Sequence, residues 1–597
     1  MTRSAADVGR GLAPARAARA IRPGERIHVL GAGGAGASAA AILAARAGAS
    51  VTACDRSADS PYVPAVEAVG VTVLEGHAAA HVAATRGVTA ERNAVPETGA
   101  PSAPGSAAPS GAVPAPPPPG TATVDRLAVT KALTAIDPDN PELQAARALG
   151  IPIEPWQQVV ADAAATRGTR LVGVAGTHGK STSTGWLVDL LARAGRDPSA
   201  FVGALLPGGG GEPPSTARWG AGPEFIIEAD EYAGNFDPYR PALAILLNAE
   251  WDHPDVFADE DAVLDAFEAW IRHADGRGAP PVLVVNQGDP GADRVAARLS
   301  DWRGQMVAVA LADPVPDGPE DTAPLVSLSA RLCAGRGTAL GVCRAVAGRV
   351  LAADPGGTTL EIVGLDSLGN LLSPGREAPA PGPPTRAHIA LPGRHNAQDA
   401  LCVAAAAAVL GVPVPAIVAG LAAFRGVGRR LELKGEPRGV AILDDYAHHP
   451  TAIAVTLAAV RQRYPGRRLW AVYEPLTYHR TAALLDRFAD VLAGGADEVA
   501  IAEIWAGRDP DTTIASAEAL AAEIRARGMA PATAPGTVDE TADWLATRVR
   551  PGDVVLVMGG GHSYRIAARL VATLARDDAA PGGRYTAGDA DADPGRR

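Results

Sequence analysis

The run Gly176-Thr177-His178-Gly179-Lys180-Ser181-Thr182 carries the residue types that hold a polyphosphate. In such a turn, backbone N–H groups surround phosphate oxygens, a Lys ammonium reaches the β/γ-phosphates, and a hydroxyl ligates Mg²⁺. The apolar run Leu171-Val172-Gly173-Val174 precedes it and a helical stretch from about Lys180 to Ala194 follows, the strand-turn-helix setting this chemistry requires. Val174 stands where G-x-x-x-x-G-K-[ST] has its first Gly. Lysine occurs only at 131, 180 and 434, which favours a specific role for Lys180 over that of a surface turn.

Acids follow two further apolar runs. Phe225-Ile226-Ile227 leads into Glu228-Ala229-Asp230-Glu231, and Leu243 to Leu247 leads into Asn248-Ala249-Glu250-Trp251-Asp252-His253. Strand alternation puts Glu228 and Asp230 on one face and Glu231 on the other. In a parallel α/β sheet these ends share the edge of the phosphate turn, where ligands bind. Oxygen donors suit Mg²⁺, with His253 as an additional ligand. Singly each acid is a solvated loop charge; as a set beside the turn they favour a metal.

A second glycine cluster, Gly31-Ala32-Gly33-Gly34-Ala35-Gly36, reads G-x-G-x-x-G between the strand Arg26 to Leu30 and an Ala-rich helix. Such glycines permit a tight turn and close approach of a diphosphate to a helix N-terminus. Asp55 ends the next strand, where a ribose hydroxyl would bind. Alone, this pattern points to NAD, and a plain turn of a Rossmann-like fold competes with it.

Strands alternating with helices predict an α/β protein. The 597 residues exceed one compact core. Three domains are expected: a Rossmann-like one over 24–165, a central P-loop ATPase α/β domain over 166–386, and a C-terminal Rossmann-like α/β domain over 387–576. Composition predicts disorder for 1–23, a Pro/Ala-rich insertion at about 89–123, and 577–597. A further Pro/Gly-rich stretch, Ser373 to Pro384, lies near the second boundary. In the third region, strands are predicted at Val440 to Leu443, Leu469 to Tyr473 and Val554 to Val557.

The net charge of −12, without a basic cluster, argues against nucleic acid. No apolar run approaches the length that crosses a bilayer, so no membrane association is expected. Cys54, Cys333, Cys343 and Cys402 form no CxxC pair and read as small buried residues of a reducing, cytoplasmic setting.

The motifs Gly176 to Thr182, Glu228 to Glu231, Asn248 to His253, Gly393-Arg394-His395-Asn396, Gly428-Arg429-Arg430 and Asp444-Asp445-Tyr446-Ala447-His448-His449-Pro450 occur in this order. Together they resemble the Mur ligases over about residues 26 to 570. The resemblance implies an ATP-dependent amide ligase using Mg²⁺, in which the first glycine cluster (Gly31, Gly33, Gly34, Gly36, with Asp55) holds UDP-N-acetylmuramate rather than NAD. It implies ATP on Gly176, Thr177, His178, Gly179, Lys180, Ser181 and Thr182, with Asn396 at the base and Arg430 and Asp445 over the nucleotide. Ser181 and Glu228 would hold one Mg²⁺ and His253 a second. Tyr446, His448 and Arg480 fall on the amino-acid side, and Lys180, Glu228, His253, Arg430 and His448 are the implied catalytic set.

No lysine lies between 180 and 434, so the central domain has no lysine to carbamylate, as the resemblance implies for the alanine-adding branch. L-alanine is the favoured amine and the peptide of cell-wall recycling the alternative. A catalytically weak nucleotide-binding homologue and an NAD-dependent dehydrogenase are the readings from other classes. The expected assembly is a monomer or homodimer.

Overall fold

Short apolar runs of Val, Ile, Leu and Ala bounded by Gly and Asp form strands buried on both faces, and three separate, mostly parallel sheets collect them. The computed structural model describes residues 8–56, 59–83, 122–313, 323–333, 338–340, 343–369, 371–372, 382–507, 509 and 511–579. The expected insertion at 89–123 lies almost wholly outside these residues, as does the expected tail beyond 579. Packing divides the chain into two units: Ala6–Gly168 with Gly208–Trp219, and Thr169–Pro207 with Gly220 onward.

The first unit holds a five-stranded parallel sheet in the order Thr72–Glu75, Ser50–Asp55, Arg26–Leu30, Arg126–Val129, Ile153–Pro155. The Ala-rich helix Ala35–Arg46 packs on the helix Trp156–Arg167 and on the short strand Ser215–Arg218. Ser38 Oγ and Thr216 Oγ1 lie 2.9 Å apart there, both buried. The expectation that 1–23 is unstructured does not hold for its described part. Glu25, Glu154 and Asp162 are buried carboxylates that need cations. Arg16 reaches Glu154 at 2.9 Å and Asp162 at 2.6 Å, Arg19 pairs with Glu25, and Arg126 supplies the remaining charge. The leader therefore supplies counter-ions to the unit.

In the second unit, one sheet runs laterally Thr385–Ile389, Gly357–Val363, Cys343–Asp354, Gln305–Leu311, Val282–Asn286, Leu243–Leu246, Arg170–Ala175, Glu224–Ala229, Ser199–Leu206. It is parallel except at the Cys343–Asp354, Gly357–Val363 and Thr385–Ile389 end, which is antiparallel. The expected boundary at 386/387 is displaced. Thr385–Ile389 is an edge strand of this sheet, and the helices Arg394–Val409 and Val414–Ala423 are built into its core through Leu401, Val403, Ile417 and Leu421. Most of the Pro/Gly stretch lies outside the described residues; the strands on either side of it, Gly357–Val363 and Thr385–Ile389, pair antiparallel in this sheet.

A six-stranded sheet follows, ordered Glu432–Gly435, Ala441–Asp445, Val554–Gly559, Leu469–Glu474, Glu498–Ala502, Ala532–Gly536. Separate apolar cores cover its two faces, one around Leu443, Phe488 and Ile501 and the other around Ile442, Val557 and Leu570. Cys333 and Cys343 are joined as a disulfide, a correction to the reading of four free cysteines; Cys54 and Cys402 are free and buried. The helix Ala323–Cys333 packs against the strand Cys343–Asp354, which brings together two thiols that no short spacing motif links.

Candidate active site

Arg170–Ala175 lies between Glu224–Ala229 and Leu243–Leu246, with Ala175 in register with Ala229 and with Leu246. All three strands run the same way. Their C-terminal loops therefore open side by side, and the phosphate turn sits between the two acidic loops. Gly179 has φ +80°, and a Cβ on it would meet the Asp399 carboxylate at 2.5 Å, so only glycine fits the close of this turn. The helix Lys180–Arg193 starts at the next residue and aims unbonded N–H groups at the turn.

The turn is braced from the strand Leu243–Leu246 side. Asn248 Oδ1 accepts from the His178 backbone N–H at 2.8 Å, and its amide donates to the His178 carbonyl at 3.1 Å. Thr177 Oγ1 donates to the Glu250 carbonyl at 3.0 Å. Lys180 Nζ donates to the Gly176 carbonyl at 2.6 Å and to Glu231 at 2.8 Å, with Asp230 at 3.8 Å. Burial works against its charge, but Glu231 and Asp230 outweigh burial and raise the pKa, so Lys180 stays cationic. Burial likewise pushes the Glu231 carboxyl up to about 7 despite Lys180.

Ser181 Oγ donates to Glu228 at 2.9 Å, and Glu228 also accepts from the Gly203 N–H at 2.6 Å. Burial raises the Glu228 carboxyl, which favours a cationic partner at its oxygens. His253, with φ +56°, brings Nε2 to 3.7 Å from Glu231, and Asp230, Glu231 and His253 form a compact donor group. Ser181 with Glu228 is therefore one locus, and His253 belongs to another.

The third sheet reaches this edge. Arg430 Nη2 donates to Ser181 Oγ at 3.2 Å and its guanidinium lies over the Tyr446 ring. Asp445 accepts from the Leu431 and Ala447 N–H groups, both at 2.8 Å, so it shapes the loop that presents Arg430. Arg480 donates to Asp252 at 2.9 Å and lies 3.3 Å from His253 Nδ1. His448 Nδ1 lies 2.8 Å from the Tyr446 carbonyl. A carbonyl only accepts, so Nδ1 carries the proton and Nε2 the lone pair. Burial first, and Arg480 next, hold the His448 imidazolium well below the usual range.

Asn396 is buried and donates to the Pro392 carbonyl at 2.6 Å, a bond that holds the helix start Gly393–Asn396 together. In the other unit, the Asp55 carboxylate accepts from the Gly33 N–H at 2.8 Å. Gly36 packs its Cα against the Trp156 indole, where a Cβ would come within 2.1 Å. Of that glycine set, Gly36 therefore serves helix packing.

Several residues here take roles that the sequence did not give them. Glu231 is the principal partner of Lys180. Glu250 accepts from Thr451 Oγ1 at 2.7 Å and Arg487 at 2.8 Å and lies 3.2 Å from His178. Asp399 lies beneath Gly179. Thr451 and Arg487 gave no signal at all, being ordinary helix-surface residue types.

Residues 26–167 match the model described as "Mur ligase family, catalytic domain", and 429–561 match "Mur ligase, glutamate ligase domain". A UDP-N-acetylmuramate–L-alanine ligase of Roseiflexus sp. (strain RS-1) is 36% identical over 451 residues, 74% of this chain and 86% of that protein. One from Frankia casuarinae is 33% identical over 578 residues, covering 92% and 98%. Among solved structures, a UDP-N-acetylmuramate–alanine ligase from Thermotoga maritima superposes with a TM-score of 0.63 at 19% identity, covering 93% of this chain and 99% of that one. A murein peptide ligase from Psychrobacter arcticus gives 0.61 at 22%, covering 92% and 99%. At those identities the two structures speak for the fold.

Proposed function

The chain belongs to the Mur ligase family, and on that premise we propose that it joins L-alanine to the carboxylate of UDP-N-acetylmuramate with ATP, in peptidoglycan precursor synthesis. The carboxylate attacks the γ-phosphorus, giving an acyl phosphate and ADP. The amine then adds to the acyl carbon, and the tetrahedral intermediate expels phosphate.

The observation that carries this reading is the meeting at Ser181 of three groups: the Lys180 turn, the Glu228 carboxylate, and Arg430 from the third sheet. Lys180 and Arg430 stabilise charge on the transferring phosphoryl group by position alone. Ser181 and Glu228 offer hard oxygen donors at a buried spot whose raised carboxyl calls for a cation, and so fit Mg²⁺. That ion, when bound, supplies charge neutralisation on phosphate oxygens. Asp230, Glu231 and His253 would hold a second.

His448, neutral and with Nε2 unprotonated, can accept a hydrogen bond from the incoming amine and orient it. Arg480, fixed by Asp252, places positive charge for the amino-acid carboxylate. In the other unit, the Gly31–Gly34 turn, held by Asp55, receives the diphosphate of the UDP-sugar.

The test is phosphate release by the full chain with ATP, Mg²⁺ and UDP-N-acetylmuramate, comparing L-alanine, glycine, L-serine and a muramyl-type tripeptide. Release that depends on L-alanine is expected. Preference for the tripeptide would move the chain to the recycling reaction, and no amine-dependent release from folded protein would remove the ligase reading.

A further inference from the structure

In the N-terminal unit, behind the glycine turn, four potential metal ligands converge in the core. His28 and Cys54 come from adjacent parallel strands, His81 from the turn Ala79–His81, and Glu142 from the first turn of the helix Pro141–Ala148. His28, Cys54 and Glu142 are fully buried. One donor atom from each of the four lies within 4.8 Å of the other three. His28 Nε2 is 3.4 Å from Cys54 Sγ and 3.6 Å from Glu142, and the Glu142 oxygens are 3.3 Å from Cys54 Sγ. His81 Nδ1 is 2.7 Å from Glu142.

Ligand bonds of about 2.0–2.3 Å in a tetrahedron give ligand–ligand edges of roughly 3.3–3.7 Å. Three of these separations already have that length, and the 2.7 Å His81–Glu142 hydrogen bond must lengthen. The orientation is also prepared. His28 Nδ1 lies 2.8 Å from Thr52 Oγ1, which can accept its proton and leave the Nε2 lone pair facing Cys54 and Glu142. Two neutral imidazoles, a thiolate and a carboxylate carry two negative charges, which one divalent ion cancels in a core that otherwise penalises them.

We propose that His28, Cys54, His81 and Glu142 bind one zinc-type divalent cation as a closed structural site. Four protein ligands leave no open position for substrate, so the ion is structural. Binding displaces the Cys54 thiol proton to solvent and moves the His81 proton from Nδ1, where it faces Glu142, to Nε2; the metal–thiolate bond forms, both imidazoles contribute lone pairs, and no oxidant or reductant is needed. The Cys54 carbonyl accepts from the Gly31 and Ala32 N–H groups at 2.9 and 3.0 Å, and Asp55 holds Gly33. An ion at Cys54 would therefore brace the glycine turn from behind.

The experiment uses the full-length chain, stripped with a chelator and titrated with Co²⁺ alone, then Zn²⁺ alone. About one Co²⁺ per chain is expected to bind with a near-ultraviolet thiolate charge-transfer band and the intense visible bands of a tetrahedral ion. Zn²⁺ should displace it and raise the thermal midpoint. Cys54→Ser should abolish the charge-transfer band, and Glu142→Gln should weaken Co²⁺ binding at least about tenfold while keeping the thiol. Cobalt at the oxygen-rich ATP locus has no thiolate and gives no such band. A wild-type chain without the band, a band that survives in C54S, or a midpoint that Zn²⁺ leaves unchanged would each overturn the proposal. Should C54S fail to fold, the wild-type spectrum and the E142Q titration decide.

Discussion

Lys180 has its charge fixed in advance, between the Gly176 carbonyl and Glu231. Replacing it with Ala leaves Glu231 buried without its main cation and removes positive charge from the phosphate turn. The expected result is a fall in kcat of about 10²–10³-fold in the phosphate-release assay, with UDP-sugar affinity by calorimetry essentially unchanged. Asp399 makes a second case. Burial raises its carboxyl from 3.8 to about 7, so the fold holds the proton more tightly than the unfolded chain does. Its neutral form is compatible with the fold, and stability is lost as pH rises from 3.8 through about 7. Asp399→Asn should match wild type near about pH 4 and exceed it by on the order of 2 kcal/mol near about pH 8 in urea unfolding. A constant difference across that range would assign the effect to packing. Sequence named Lys180, Ser181 and Glu228 because motif spacing carries their chemistry. It could not rank Glu231 above Glu228 as the lysine's partner, since strand alternation sends the two to opposite faces while the loop after Ala229 turns Glu231 back.

At the scale of elements, the strand runs predicted at Arg26, Leu171, Phe225, Leu243, Leu469 and Val554 appear within about one residue at their starts, because continuous Val/Ile/Leu runs ending at Gly or Asp have few alternatives. The antiparallel strands from Cys343 to Ile389 were not legible. Their residues are mixed in polarity, and the Pro/Gly stretch among them imitates a domain linker. The helix Arg394–Val409 was not legible as part of the second sheet's core, since small residues on every side mark no single face. Gly36 tests helix packing directly. Ala there would drive a methyl into Trp156, and Gly36→Ala is expected to destabilise the N-terminal unit by about 1–3 kcal/mol, or more if Trp156 cannot shift. Its signature would be an early transition in thermal unfolding, with nucleotide binding by the other unit retained.

For the molecule as a whole, the chemistry depends on the second and third sheets meeting through named pairs, chief among them Arg480 with Asp252. Both are nearly fully buried, so removing one strands the other's charge. Arg480→Ala should cost about 3–5 kcal/mol in unfolding free energy and raise the KM for the amine. The double variant with Asp252→Ala should recover part of the stability and none of the amine affinity. Full recovery of both would make the pair purely structural. The division into units carries a different consequence. The strand Ser215–Arg218 completes the N-terminal unit by covering the helix Ala35–Arg46 and pairing Thr216 with Ser38, yet about forty residues of the other unit are made before it. During synthesis from the N-terminus, the first unit must wait for a segment that emerges after the phosphate turn. The order in which the ribosome delivers the chain is thus not the order in which its parts can finish folding.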